Sequence, residues 1–267
     1  MNLLLEADRI RVTLDERMVV DGVSLHVAAG QLLALIGPNG AGKTTLLAAL
    51  AGLRPHQGTV RLLGRPRDAL SGRERARTLA YLPQGHLAHW PLTVRRLVEL
   101  GRLPHLAPWR APVAADRLAV TEALQRADLV DLAERPFDTL SGGERARVML
   151  ARVLAVEAPL VLADEPVAAL DPYHQLRVME LLRDYADGGA ALIVVLHDLS
   201  LAARFCDELL LLHEGRLLAR GPAEQVLSTA HLAEAYRVTA LRGAHEGQHY
   251  VLPWRRLARA TEAADGA

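Results

Sequence analysis

Three short stretches carry residues in patterns suited to phosphate chemistry. The first is Gly37-Pro38-Asn39-Gly40-Ala41-Gly42-Lys43-Thr44, which combines closely spaced glycines with a lysine and a hydroxyl. Glycines let backbone N–H groups converge on a phosphate without Cβ clashes. A following helix N-terminus adds partial positive charge. In this pattern Lys43 reaches the β- and γ-phosphates of a nucleotide, and the Thr44 hydroxyl binds Mg²⁺. The 31 basic residues include a single lysine, Lys43, so the chain departs from arginine only here. A compact ammonium on a flexible stem suits such a pocket, where the guanidinium fork does not.

The second stretch, Leu160-Val161-Leu162-Ala163-Asp164-Glu165, is an apolar run that ends in two adjacent carboxylates. Read as chemistry, Asp164 binds Mg²⁺ directly or through water, and Glu165 polarises an attacking water. Read as structure, it is a strand capped by acids before a turn; the phosphate loop upstream favours the chemical reading. The third, Leu140-Ser141-Gly142-Gly143-Glu144, opens a helix, and Ser141 and Glu144 have the spacing of a capping box. Two glycines in a first helical turn cost about 1 kcal/mol each against alanine. They make sense if an anion must approach that turn closely.

These stretches need a scaffold that holds strand ends next to helix starts. Val19 to Val27 reads as a strand after a turn near Asp15-Glu16, and Gln31 to Ile36 as a short apolar strand. Thr59 to Leu63, Leu79 to Leu82, Leu160 to Ala163 and Ala191 to Leu196 read as further strands. Asp207 to Leu218 reads as a hairpin turning at Glu214-Gly215. From Thr93 to Val156 the pattern is helical, broken by a Pro-rich loop at Leu103 to Pro112. After Pro222 it is mostly helical, with a short strand at His249 to Leu252. Buried apolar strands alternating with helices indicate an α/β core with a parallel sheet. In such sheets ligands bind at the carboxyl ends of strands, where these motifs fall.

Composition bounds the function. Apolar residues make up 51% of 267 residues, which is globular composition. Basic and acidic residues balance at 31 each, which argues against nucleic acid as the main partner. One cysteine, Cys206, excludes an intrachain disulfide and fits a reducing compartment. Met1 to Ile10 carries Glu6 and Asp8 and no long apolar core, so it does not read as a signal peptide. Apolar runs such as Ala190 to Leu196 fall far short of the roughly twenty residues a membrane span needs. Any membrane role is therefore expected to come through a partner.

Taken together, the phosphate loop, the Leu-Ser-Gly-Gly-Glu stretch and the acidic strand end resemble the ABC ATPase family in order and spacing, over essentially the whole chain. The resemblance implies a P-loop NTPase (RecA-like) α/β core with a mostly parallel sheet, N-terminal antiparallel strands and an inserted helical subdomain. It implies one domain over 1–267, with the helical subdomain at about 85–158 and a short helical tail at about 222–267. It places Gly37, Pro38, Asn39, Gly40, Ala41, Gly42, Lys43, Thr44 and Thr45 around the phosphates of ATP, and Mg²⁺ on Thr44, Gln84 and Asp164. Glu165, His197 and Gln84 take the catalytic, switch and Q-loop roles. Two copies pair head to tail, so that Ser141, Gly142 and Gly143 meet the nucleotide held by the other copy's Lys43, and Asp171 crosses the dimer.

Two positions depart from the family pattern. Val167 and Ala168 stand where small hydroxyl residues are common. The adenine-stacking aromatic is expected near Leu14, yet no aromatic precedes Tyr81. The segments Leu100-Gly101-Arg102-Leu103-Pro104-His105 and His197-Asp198-Leu199-Ser200-Leu201-Ala202-Ala203-Arg204 resemble the iron-siderophore, haem and cobalamin importers. The resemblance thus implies an ATPase subunit at the cytoplasmic face of the inner membrane, peripheral through transmembrane permease subunits and served indirectly by a substrate-binding protein. An ABC exporter ATPase, or an importer ATPase for another small solute, is the alternative. A GTPase of the Asn-Lys-x-Asp type is excluded, because Lys43 is the only lysine.

Overall fold

The computed structural model describes residues 2–85, 92–107, 111–168 and 170–257. The chain opens with a long hairpin, β1 (Leu3–Leu14) and β2 (Arg17–Ala28). Its turn is Asp15-Glu16, both left-handed, with φ 45° and 63°. That is the twist a two-residue hairpin needs. β3 (Leu32–Ile36) leads through the glycine loop into α1 (Lys43–Leu50). β4 (Gln57–Leu62) and β5 (Arg65–Pro66) complete an antiparallel sheet in the order β2-β1-β4-β5. α2 (Gly72–Thr78) runs directly into β6 (Leu79–Leu82).

Next come the inserted helices α3 (Val94–Glu99), α4 (Ala114–Arg126) and α5 (Gly142–Leu154). The core resumes with β7 (Leu160–Asp164), α6 (Pro172–Asp187), β8 (Ala191–Val195) and α7 (Leu199–Phe205). β9 (Glu208–His213) and β10 (Arg216–Gly221) form the expected hairpin. The second sheet has the order β10-β9-β3-β8-β7-β6, parallel except for β10 against β9.

Every residue of β3, β7 and β8 is buried. Alternate residues serve opposite faces. Leu32, Ala34 and Ile36 join the cluster under the inserted helices and α6, while Leu33 and Leu35 join the one under α1 and the antiparallel sheet. A sheet covered on both faces reads as continuous apolar runs, which is why these strands were visible in the sequence.

The tail is a correction. After α8 (Ala223–Val226) and short helical turns through Leu232–Tyr236, the chain forms a hairpin instead of continuing as helix. Its strands are β11 (Val238–His245) and β12 (Gln248–Arg256), joined at Glu246-Gly247, where both φ are positive. The expected strand His249 to Leu252 is the middle of β12. The hairpin is held on α7: the Ser200 hydroxyl donates to the Val251 carbonyl (3.0 Å) and accepts from its N–H (3.1 Å). Tertiary packing outweighs the helical composition here.

The Pro-rich break in the helical block is stapled by a buried ion pair. The Arg102 guanidinium donates to Asp116 (3.1 Å), the Ala155 carbonyl (2.8 Å) and Glu157 (2.6 Å). Arg102 and Asp116 side chains are only 7% and 8% exposed. Gly101 is required because a Cβ there would collide with the Arg152 carbonyl of α5. Removing one partner of a buried pair strands the other charge, at a cost of about 3–5 kcal/mol. Arg102→Leu should therefore destabilise the chain by about 3 kcal/mol in urea unfolding. A loss below about 1 kcal/mol would show that Asp116 does not depend on it.

Candidate active site

The glycine loop is shaped by what surrounds it. Gly37 has φ 149°, and a Cβ there would collide with the Leu212 carbonyl of β9. Gly42 has φ 98°, and its Cβ would lie 2.7 Å from the Val19 carbonyl of β2. Neither position tolerates a side chain. Gly42 is also the N-cap of α1 and brings no side-chain cap, so the first N–H groups of the helix remain available to an anion. No local signal marks the Glu214-Gly215 turn as the brace of this loop. There the Gly215 N–H donates to the Ala41 carbonyl (3.2 Å), and the Asp21 N–H to the Gly215 carbonyl (2.8 Å).

Lys43 is buried, and its ammonium donates to the carbonyls of Gly37 (2.7 Å) and Pro38 (2.9 Å). Burial holds its pKa below the usual lysine value, against the pull of Glu165 and Asp164. The Thr44 hydroxyl donates to Asp164 Oδ1 at 3.2 Å. Asp164 is 1% exposed, and its Oδ2 has no hydrogen-bond partner among the described residues. Burial raises its pKa, and the Thr44 bond works the other way. A buried carboxylate oxygen without a partner is costly unless a cation meets it. A hydroxyl beside a carboxylate is an oxygen donor set suited to a hard cation such as Mg²⁺, which typically completes its shell with substrate phosphates and water.

The strand order brings the remaining groups together. β3, β8, β7 and β6 lie side by side and parallel, so their carboxyl ends carry the glycine loop, His197, Asp164-Glu165 and Gln84 along one edge. Glu165 leaves β7 in the left-handed region, φ 52°, and turns its carboxylate back between its neighbours. Its Oε2 accepts from Gln84 Nε2 (2.9 Å), and its Oε1 lies 2.6 Å from His197 Nε2. Gln84, Glu165 and His197 thus form one contact group.

Other predicted residues stand apart from it. Ser141 caps α5 in the expected box: its hydroxyl accepts from the Glu144 N–H (3.3 Å), and the Glu144 carboxylate accepts from the Ser141 N–H (2.7 Å). Among the described residues, a Cβ on Gly142 would meet nothing, and one on Gly143 only Leu170 at 3.5 Å. Packing among the described residues therefore does not explain the two glycines. Among the described residues, Ser141, Gly142 and Gly143 make no hydrogen bond to the glycine loop, Glu165 or His197. Asp171 caps α6, accepting from the His174 N–H (3.0 Å), a bond that holds its carboxyl below the usual range. Leu14 packs on the core beneath the antiparallel sheet. Tyr81 lines a hollow with Ala51, Leu53 and Arg67 beyond the C-terminal end of α1, so the glycine loop lies at the other end of that helix.

Residues 20–168 match the ABC transporter family model. The hemin import ATP-binding protein HmuV of Streptomyces coelicolor is 49% identical over 237 residues, covering 88% of this chain and 83% of that one. HmuV of Pseudomonas aeruginosa is 42% identical over 248 residues, covering 91% and 96%. An inward-facing metal-chelate type ABC transporter shares the fold at TM-score 0.81 and 24% identity, covering 95% and 98%. A dimeric ATP-binding cassette bound to ADP and phosphate gives TM-score 0.72 at 26% identity, covering 82% and 99%. The chain belongs to the ABC transporter family and is one of its ATP-hydrolysing cassettes.

Proposed function

We propose that this cassette hydrolyses ATP to power a separate membrane permease that imports haem or a related metal chelate. The cargo assignment rests on curated relatives named for hemin import that match at 42–49% identity over most of their length. The stapled Gly101-Arg102 segment, quoted above for its resemblance to this importer group, supports it. The cassette works at the cytoplasmic face of the membrane, attached to permease subunits and served indirectly by a substrate-binding protein. Among the described residues no helix is long and apolar enough to cross a membrane, in keeping with a permease on another chain.

In this reading the N–H groups of Gly40 and of Gly42 to Thr45 cradle the β- and γ-phosphates of ATP, and Lys43 exchanges its loop carbonyls for phosphate oxygens. Thr44, Asp164 and Gln84 hold Mg²⁺, which supplies charge neutralisation on those phosphates. Glu165 orients and polarises the attacking water. His197, paired with Glu165 before nucleotide binds, turns to the γ-phosphate. Ser141 and Gly143, open on their own chain, contact the nucleotide of a second copy, where the α5 N-terminus adds its partial positive charge.

Glu165→Gln keeps the shape of the side chain but cannot take up a proton. With permease present, turnover should fall about 10²–10⁴-fold. ATP binding should persist, and an ATP-bound dimer should accumulate on gel filtration. Hydrolysis within a few fold of the parent rate would remove Glu165 from this role.

Head-to-tail pairing makes a complementation test possible. Ser141→Arg and Lys43→Ala chains should each be inactive alone. Mixed, they should regain hydrolysis, because one site of the heterodimer combines an intact Lys43 with an intact Ser141. If the Ser141→Arg chain cannot bind nucleotide as a monomer, the assignment is wrong.

Nucleotide choice follows from what surrounds the base. The assigned contacts go to phosphates and Mg²⁺, which GTP shares, and Tyr81 faces elsewhere. The β1–β2 turn offers Asp15, Glu16, Arg17 and Met18, all exposed, beside the partly buried Leu14. Strong discrimination comes from buried hydrogen bonds left unpaired by the wrong ligand. GTP turnover by the complete transporter should fall within about tenfold of ATP, a window of about 1.4 kcal/mol. A preference for ATP above about a hundredfold, or about 2.7 kcal/mol, would reveal a base-reading group outside this turn.

A further inference from the structure

Residues 100–106 extend α3 as a ragged helical turn: the Leu103 N–H donates to the Leu100 carbonyl, and those of His105 and Leu106 to Arg102. Such an end leaves its last carbonyls without backbone donors and carries partial negative charge. Two arginines of α2 meet it. Arg73 and Arg77 stand four residues apart, on one face of their helix. Arg73 donates to the carbonyls of Pro104 (2.8 Å), His105 (3.1 Å) and Leu106. Arg77 donates to those of Pro104 (2.8 Å) and His105 (3.4 Å).

What this clamp joins gives it meaning. On one side, α2 runs without a break into β6, and Gln84 follows two residues after that strand. On the other, the same turn is pinned to the end of α5. Arg102 donates to the Ala155 carbonyl and Glu157, and the His105 ring nitrogen lies 2.8 Å from the Val156 carbonyl. The first turn of α5 carries Gly142 and Gly143, capped by Ser141. A strut therefore runs from the Gln84 strand to the helix that presents Ser141.

We propose that Arg73 and Arg77 are positioning residues for ATP hydrolysis: they set the angle of the inserted helices against the core, so that Ser141 reaches the partner's nucleotide while Gln84 engages its own. This rests on the reading that Ser141 serves the second copy. Neither arginine touches the nucleotide loop, so the effect falls on turnover and not on nucleotide affinity.

The test is the Arg73→Ala/Arg77→Ala double variant, with the Arg73→Lys/Arg77→Lys variant as its conservative partner, since an ammonium can still meet these carbonyls. In the transporter, the alanine variant should lose about tenfold in kcat, and the lysine variant should recover most of it. ATP affinity of the isolated chain should stay within about twofold of the parent in both. Spin labels at Arg75→Cys on α2 and Leu118→Cys on α4, on a Cys206→Ser background, should give a narrow distance distribution in the parent and a broad one in the alanine variant. An unchanged distribution, an unchanged kcat, or equal losses in kcat and ATP affinity would overturn the proposal. The label distances do not depend on which copy Ser141 serves. Failure of the Ser141→Arg and Lys43→Ala mixture would therefore sink that reading separately.

Discussion

The interior strands β3, β7 and β8 are sealed on both faces, and the placement of everything polar follows from that. A carboxylate or imidazole in the middle of such a strand would be desolvated without a partner. Only the ends reach water, and parallel pairing puts all the carboxyl ends on one edge. The order β3-β8-β7-β6 then decides which groups become neighbours. Glu165 at the end of β7 finds His197 on one side and Gln84 on the other because β8 and β6 flank its strand. The antiparallel sheet and the inserted helices cover the two faces and keep that edge free.

Charge at this edge is arranged around one deeply buried acid. Asp164 is more enclosed than Glu165, whose side chain is 15% exposed. The Glu165 carboxylate disfavours the charge of Asp164, and Lys43 opposes that effect. The spare oxygen of Asp164 and the uncapped start of α1 therefore leave complementary needs: a cation at one, an anion at the other. A metal–phosphate pair meets both at once, which neither a free metal nor a free phosphate does. Two ligand-shaped deficits in adjacent elements point to their being filled together.

Much of this was legible in the sequence because the local signals agree with the tertiary outcome. Apolar runs marked the sealed strands, and glycines marked the backbone positions where a Cβ would collide. The Ser141 and Glu144 spacing announced a cap that the structure forms. Other features had no local signal. The stretch after Pro222 signalled only the short strand at His249 to Leu252, and not that β11 and β12 would pair on α7, a choice made by Val251 and Ser200 from distant parts of the chain. Arg73 and Arg77 read as ordinary charges on a short polar helix, because their partners are carbonyls, which every residue has. The left-handed turn of Glu165 was equally silent, since nothing in a Glu-Pro pair demands it.

The solitary lysine has a consequence for protein chemistry. Amine-directed reagents have a single side-chain target in this sequence, Lys43. Lys43 is only 6% exposed and already engaged with Gly37 and Pro38. The folded body therefore presents almost no reactive side-chain amine to such reagents. Any modification of Lys43 reports directly on the opening of the nucleotide loop.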